Sequence, residues 1–487
     1  MSVAPRPARA FARPLEDLLN RLAAAVLVVS AGVLIGLQYI RPNKRVIAVL
    51  AATVLFGLSL RVGMVSGIGV LALALPYPRS TVFGSTNLAF VLLLLVIWLL
   101  RITQRQSPPP QRTAVDVPII GMYAAYVLSF YNVEDVTFLT RALENFGLMV
   151  ACALMFYLIV NSVRTERDLR RLHVFQAVSV LSVCLLVVYE VGHPGQPFIR
   201  GWIDFGHKSS VGVESSGMRV GSIFYDYELF SEYCALNLLL VVFLFVRAGS
   251  LLGKLAYGGL IVLIGFGLFA TVTRGSIVAL AITAPYFVWL LRRRVNLVSL
   301  VLYTVGIIAA FVTMNFIVAH YTQTGDLFAR LSETKLVRGL PDSRAEAWPS
   351  SWKRLLEHPL IGHGPYYSSE HGLKQWTWPH NIFLYVGNNA GFIGLAFFLW
   401  LLWKLFRVST PRVDDLRHPS YAQAFLLVAH TQMITFVVDQ IKVEFLRNPI
   451  YQFQVWWMFA TTVATYQITT RTGVAALPGP AVVPRRA

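Results

Sequence analysis

The chain has 487 residues, of which 56% are hydrophobic and only 14% charged, and its mean hydropathy is +0.60. Soluble domains carry about 25% charged residues, and a soluble chain this apolar could not cover its surface with polar groups. Yet 42 Lys and Arg stand against 24 Asp and Glu, a formal net charge of +18. This excludes a soluble enzyme, a disordered chain and a nucleic-acid binder with one basic stripe, and it predicts an all-α polytopic membrane protein whose few charges sit in loops.

The segment 1–21 carries Arg6, Arg9, Arg13 and Arg21 ahead of an apolar run that continues to Ile40. No small-residue cleavage pattern follows it, so the run is expected to be a retained first transmembrane helix, with 1–21 cytoplasmic. A spanning helix needs about 20 apolar residues. On that template the N-terminal membrane region, 22–190, holds segments near 22–40, 46–60, 62–76, 87–101, 117–133, 143–161 and 171–190. The short pair around Arg61 reads either as two spans or as one kinked span or re-entrant hairpin. The central region, 191–319, holds 229–246, 255–273, 275–291 and 296–319; the C-terminal region, 382–467, holds 382–406, 422–440 and 449–467. The expectation is about 12–14 transmembrane helices, because no strand-like alternation exists to close a barrel. The tail 468–487 reads as cytoplasmic and disordered.

Lys and Arg in short loops set orientation. Three Arg lie in 101–112, four in 162–171, three at 292–294, and four Lys or Arg in 404–418; the opposite loops 134–142 and 441–448 carry one and two. Both termini are therefore expected inside, although Arg41, Lys44 and Arg45 fall on the outer side of this count. Cys152, Cys184 and Cys234 all lie in apolar stretches, which predicts inert thiols packed between helices.

Two long connections fall outside, 191–228 and 320–381. The second is one large loop with Trp348, Trp352, Trp376 and Trp378, residues suited to the membrane interface or to stacking on sugars. It is expected to contain short helices. One reading runs a helix over 343–357 with Trp348, Trp352 and Leu355 on one face; another starts it at Pro349, which a helix interior disfavours. The chain shows no internal repeat, which weakens an inverted-repeat transporter.

Charged groups near membrane depth are functional candidates. Arg274 opens a helix after a two-helix turn, in Thr273-Arg274-Gly275-Ser276; the bland alternative is snorkelling to lipid headgroups. Free backbone N–H groups of the new helix also suit an anion. Arg219 lies in Met218-Arg219-Val220-Gly221-Ser222-Ile223-Phe224, followed by Asp226, Glu228 and Glu232. The triplet Asp226-Tyr227-Glu228 looks like a metal-binding acidic pair, but it faces away from the cytoplasm and its nucleotide sugars. Pairing with Arg219 or capping of the helix N-terminus is the expected role of these carboxylates. His380 stands at a helix start after Pro379. Neither zinc spacing, a G-x-S-x-G elbow nor a P-loop occurs, so neither a metal nor a cofactor is expected. Arg219, Arg274 and His380 sit in three loops that the topology places on one side. Guanidinium groups grip phosphate oxygens and stay charged, while a mostly neutral His can accept a proton from a hydroxyl. That set suits transfer from a lipid-anchored diphosphate sugar.

Four blocks resemble the O-antigen ligase and polysaccharide polymerase superfamily: 218–224; 273–276; Asp342-Ser343-Arg344-Ala345-Glu346-Ala347-Trp348 with His358-Pro359-Leu360-Ile361-Gly362-His363-Gly364; and His380-Asn381 followed by Gly391 and Gly394. Together they cover about 219–406. The resemblance implies a metal-independent, inverting glycosyltransferase of lipopolysaccharide or other polysaccharide biosynthesis, multi-pass in the bacterial inner membrane, with its active site and its large loop 320–381 on the periplasmic side. The donor would be a glycan on undecaprenyl diphosphate and the acceptor a glycan or glycolipid, with polysaccharide assembly proteins as partners and no nucleic acid. Arg219 and Arg274 would bind the donor diphosphate, and His380 would act as, or help position, the base. Arg344 matches an Arg of the loop pattern, its alternative being an ion pair with Glu346 or Asp342; Trp376 and Trp378 are candidates for substrate contact. Thr273 stands where the family has a small residue or Ser. Fourteen spans exceed the twelve typical of ligases, which tilts the choice towards a polymerase. The rival from another class is a flippase for lipid-linked oligosaccharides.

Overall fold

The computed structural model describes residues 63–475, apart from 79, 82–83, 134, 199–218, 292–296, 323–324, 333–335, 338–339, 368–369, 372–373, 376–377 and 411–418. The expected spans before residue 63, the tail after 475, Met218 and Trp376 lie outside the described residues.

The chain is an all-α polytopic membrane protein. Its described helices are α1 (Met64–Ala74), α2 (Thr86–Thr103), α3 (Asp116–Ser129), α4 (Val136–Ser162), α5 (Glu166–Gly192), α6 (Tyr227–Arg247), α7 (Leu251–Ala270), α8 (Arg274–Leu291), α9 (Leu297–Tyr321), α10 (Leu327–Ser332), α11 (Asp342–Leu355), α12 (Ile382–Ser409), α13 (Tyr421–Asp439) and α14 (Pro449–Ala475). Among the described residues, seven of these are long and apolar enough to cross a bilayer: α2, α4, α5, α6, α7, α12 and α13. Three two-residue antiparallel hairpins, at 80–85, 336–341 and 370–375, are the only strands among the described residues.

Local chemistry marks the helix starts. Ser85 accepts from the Leu88 amide before α2, and Thr165 with Asp168, and Ser420 with Gln423, form capping boxes before α5 and α13. Each satisfies donors that a helix N-terminus leaves unpaired. Lipid-facing and protein-facing helices then separate by composition. On α9, Val298, Val301, Val305, Ile308, Val312 and Phe316 form an exposed apolar stripe at helical spacing, the surface a bilayer covers. In α14 every residue from Ile450 to Thr465 is buried except Gln454. Thr461, Thr462 and Thr465 there return their hydroxyls to carbonyls of their own helix, so this central helix tolerates polar residues without meeting lipid. The three cysteines are free and buried, as inert packing thiols should be.

Helix α12 is broken at Gly391, whose φ of 65° and ψ of −171° interrupt the helical run. The break frees backbone groups that a membrane interior cannot leave unpaired. The segment 359–364 fills them: the amides of Phe392 and Ile393 donate to the carbonyls of Pro359 and Leu360, and the amides of His363 and Gly364 donate to the carbonyls of Asn388 and Asn389. A Cβ at Gly391 would lie 2.1 Å from the Leu360 carbonyl oxygen, and one at Gly362 would lie 2.5 Å from the Asn389 backbone. Gly362 and Gly391, of the third and fourth blocks, therefore serve a backbone-to-backbone clamp. Gly121 brings α3 close to α12, since a Cβ there would lie 2.2 Å from the Phe397 ring.

The loop helix α11 settles the two readings of 343–357. It runs through Pro349 instead of starting there. Its buried residues are Ala347, Ser351, Arg354 and Leu355, while Trp352 is exposed, so Trp348, Trp352 and Leu355 do not form one packed face. The reason is that the mate of this helix is α12: Asn388 donates to the Ser351 carbonyl, and small residues there allow close approach.

Candidate active site

The N-termini of α6 and α8, the turn 440–448 between α13 and α14, the residues before α12 and the loop helix α11 meet at one end of the bundle. Asp226 starts α6 by accepting from the amides of Glu228 (2.9 Å) and Leu229 (3.2 Å); this is the expected capping role. Asn381 starts α12 in the same way, accepting from Phe383 and Leu384, while its amide nitrogen donates to the Ile441 carbonyl at 3.0 Å. The Ile382 amide donates to the Gln440 carbonyl. Thus the start of α12 is pinned to the turn after α13, and His380 is carried with it.

Arg219 and Arg274 come together at one turn. The Arg219 guanidinium donates from Nε to the Thr271 carbonyl at 3.0 Å and from one terminal nitrogen to the Val272 carbonyl at 3.5 Å and Thr273 Oγ1 at 3.0 Å. It lies over the Tyr227 ring, 3.3 Å from its centre. Arg274 follows as the first residue of α8 with a part-exposed side chain. Val272 within this turn has φ 50°, a left-handed value that a β-branched residue adopts only under constraint.

Of the carboxylates that follow Arg219, Asp226 and Glu228 meet a different cation. The partner of those carboxylates is Arg447, in the turn 440–448. Its second terminal nitrogen contacts Asp226 Oδ2 at 2.6 Å and Glu228 Oε2 at 3.0 Å; its first contacts Glu444 Oε1 at 3.2 Å and His380 Nδ1 at 3.2 Å. Arg344, from α11, lies 3.8 Å from Glu228 Oε1, an ion pair, and donates to the Lys442 carbonyl at 2.9 Å. Lys442 pairs with the buried Asp439 at 2.5 Å, and Asp439 also accepts from Ser276 at 2.9 Å. Gly275 leaves room for this: a Cβ there would lie 1.8 Å from the Lys442 ammonium. Glu232, one turn deeper, accepts from the Gln440 amide nitrogen through both carboxylate oxygens.

The electrostatics follow from burial and pairing. Burial works against the charge on Arg447, and Asp226, Glu444 and Glu228 more than offset it, holding its guanidinium above its ordinary value. Burial pushes Glu444 up to about 7 against the pull of Arg447. Burial pushes His380 below the usual imidazole value; Glu228 opposes this shift, and Arg447 and Arg344 add to it. His380 has φ 44°, a strained left-handed residue between Pro379 and the capping Asn381.

Trp378 stands part-exposed at the edge of this cluster. Its ring lies 5.0 Å from Tyr367 and 6.5 Å from Tyr385, nearly parallel to the latter. His358 and His363 belong to the clamp on α12: their rings contact each other edge to face and His363 Nε2 lies 2.9 Å from the Arg354 carbonyl.

The structure therefore gathers Arg219, Arg274, Arg344 and His380, and adds Glu228, Lys442, Glu444 and Arg447. The sequence held one signal for the last three: a short loop on the side opposite the basic loops, with two cations and an acid in eight residues. The same composition also fits topology alone, since short outer loops carry few cations.

These features define a multi-pass membrane protein with a charged cluster at one end of its helix bundle. Residues 259–399, from α7 into α12, match the family model described as O-antigen ligase. The match encloses Arg274, Arg344 and His380 and bears out the resemblance to the O-antigen ligase and polysaccharide polymerase superfamily. It supports an enzyme of the ligase or polymerase type that works on glycans at a membrane. No curated protein matches the chain.

Proposed function

We propose that the protein is an inverting, metal-independent glycosyltransferase that moves a glycan from undecaprenyl diphosphate to a sugar hydroxyl at the periplasmic face of the bacterial inner membrane. The observation that carries this reading is the convergence of Arg219, Arg274, Arg344 and His380 on one end of the bundle, inside or just ahead of the segment that matches the ligase family. Arg274, with the amides that open α8, is the proposed grip on the donor diphosphate, and Arg219 builds the turn that presents it. His380 is placed beside the reacting hydroxyl, and the part-exposed Trp378 is suited to the apolar face of a sugar ring. The carboxylates Asp226 and Glu228 are occupied by Arg447 and Arg344, which supports stabilisation of the leaving group by guanidinium groups. The opposite end of the bundle carries Arg164, Arg167, Arg170 and Arg171, a bias that supports a cytoplasmic assignment for that end.

Glycolipid analysis of a deletion strain tests this. Accumulation of single lipid-linked repeats identifies a polymerase; accumulation of long lipid-linked chains beside a bare acceptor identifies a ligase. Lipid-linked repeats trapped on the inner leaflet would instead identify a flippase and overturn the enzymatic reading.

A further inference from the structure

Arg447 spends all four hydrogens of its terminal nitrogens inside the cluster. One nitrogen serves Asp226 at 2.6 Å and Glu228 at 3.0 Å; the other serves Glu444 at 3.2 Å and His380 Nδ1 at 3.2 Å. It is a strut, not a group waiting for phosphate. Its contact with His380 also has a chemical consequence. A guanidinium has donors and no acceptor, and it stays protonated in proteins. The atom facing it, Nδ1, must therefore present a lone pair. Glu228 Oε2 lies 3.9 Å from the same Nδ1, too far to accept a hydrogen from it. A neutral imidazole has one donor and one acceptor nitrogen; with Nδ1 accepting, the proton sits on Nε2. Burial supports the neutral ring. Ring rotation is restrained from the backbone, because His380 is held at φ 44° between Pro379 and Asn381, the cap of α12.

We propose that Arg447 fixes His380 as the Nε2-protonated tautomer, so that His380 meets a substrate oxygen as a hydrogen-bond donor and not as the base. To serve as base through Nε2, the ring would first have to move its proton to Nδ1, setting two donors against each other at 3.2 Å. The inference rests on the glycosyl-transfer reading above and changes its proton path. The acceptor hydroxyl oxygen bonds to the anomeric carbon. The bond from that carbon to the phosphate oxygen breaks, with its electron pair staying on the diphosphate. The hydroxyl proton passes to water on the attacking side, opposite the leaving diphosphate, so charge balances without a protein base. Arg447 is a positioning residue in this scheme, and His380 Nε2–H is the group that touches substrate.

Two variants separate the roles. Glutamine places an N–H near the position of Nε2, whereas asparagine mimics only the Nδ1 side. In the purified full-length protein, with a lipid-diphosphate-linked glycan donor and a sugar acceptor, His380→Gln should keep transfer within about tenfold of wild type. His380→Ala and His380→Asn should fall by about a hundredfold or more, the range that a positioned proton-transfer or hydrogen-bonding group supplies. Arg447→Lys, which keeps a charge but cannot span four partners, should lower activity on the neutral and alkaline side of the pH profile, where the released ring can carry its single proton on Nδ1, and regain it on the acid side, where the doubly protonated ring keeps Nε2–H. A His380→Gln variant as inactive as His380→Ala overturns the donor role, and an unchanged pH profile in Arg447→Lys overturns the part assigned to Arg447. The 15N shifts of His380 in the full-length protein without substrate should report protonated Nε2 and bare Nδ1. If no donor is turned over by wild type, the functional reading fails, and those shifts still decide the tautomer.

Discussion

Arg219 and Thr271 are 52 residues apart in the chain, and the guanidinium of one donates to the backbone carbonyl of the other at 3.0 Å. This contact joins the two arginine-bearing connections into one structure. Arg219 shapes the turn; Arg274 stands beyond it.

Replacing Arg219 with Lys keeps the charge but loses the forked geometry that reaches the 271–273 turn and the Tyr227 face together. The expected result is a less stable protein, by about 1–3 kcal/mol for buried hydrogen bonds left unmade, with transfer falling in parallel. Thermal unfolding in detergent measured beside activity checks it; an unaltered unfolding midpoint would contradict the structural role.

Arg274→Ala should abolish transfer while the protein still inserts into membranes in normal amounts. The measurement is transfer from a defined diphosphate-linked donor by the purified variant. Full activity would remove Arg274 from the site.

Gly391 holds φ 65° with a carbonyl where a Cβ would go. Gly391→Ala should destabilise by at least the about 1–3 kcal/mol that such a backbone conformation costs a non-glycine residue, with the clamp to 359–364 opening. Faster hydrogen exchange at the Phe392 and Ile393 amides would report it; exchange equal to wild type would refute the clamp.

Glu444 is raised from an ordinary 4.5 to about 7 by burial. The folded state therefore holds this proton more tightly than the unfolded chain does. Its stability is unaffected below about pH 4.5 and declines as pH rises from there to about 7, after which the penalty is constant, of the order of 3 kcal/mol. Glu444→Gln should remove that dependence, so variant minus wild-type stability should grow between pH 5 and 8. A difference that stays flat across this range would show that Glu444 is not held protonated.

Lys442 crosses the space that Gly275 leaves open. Gly275→Ala should displace the ammonium from Asp439, leaving a buried carboxylate short of its partner, and should lower both stability and transfer. Gly275→Ala combined with Lys442→Ala should recover part of the stability, since the overlap is gone. Additive losses in the double variant would argue that the two residues do not share that space.

Hydropathy made most of the bundle legible, since a bilayer imposes length and apolarity on each span. It was least informative at α14, whose buried threonines and Gln452 face protein and need not be apolar. The arginines and the histidine of the site were legible because charged groups beside apolar segments are few. Their partners were not. The pairing of Asp226 and Glu228 with Arg447, more than 200 residues away, depends on how α6 and α14 meet, and no local spacing records that. The same holds for Pro349, which local preference would put at a helix start and which contact with α12 keeps inside α11. Glycines 362, 364 and 391 stand in the family pattern, and only the broken helix shows what their missing side chains permit.

That break also sets how the protein can be rebuilt. Because the backbone of α12 completes its hydrogen bonds with residues 359–364, the large loop and the membrane helix after it are not separable modules. A chimera that exchanges the loop for that of a relative must carry 358–364 and 381–394 across together. On this scaffold the loop is inherited in one piece with the helix that anchors it.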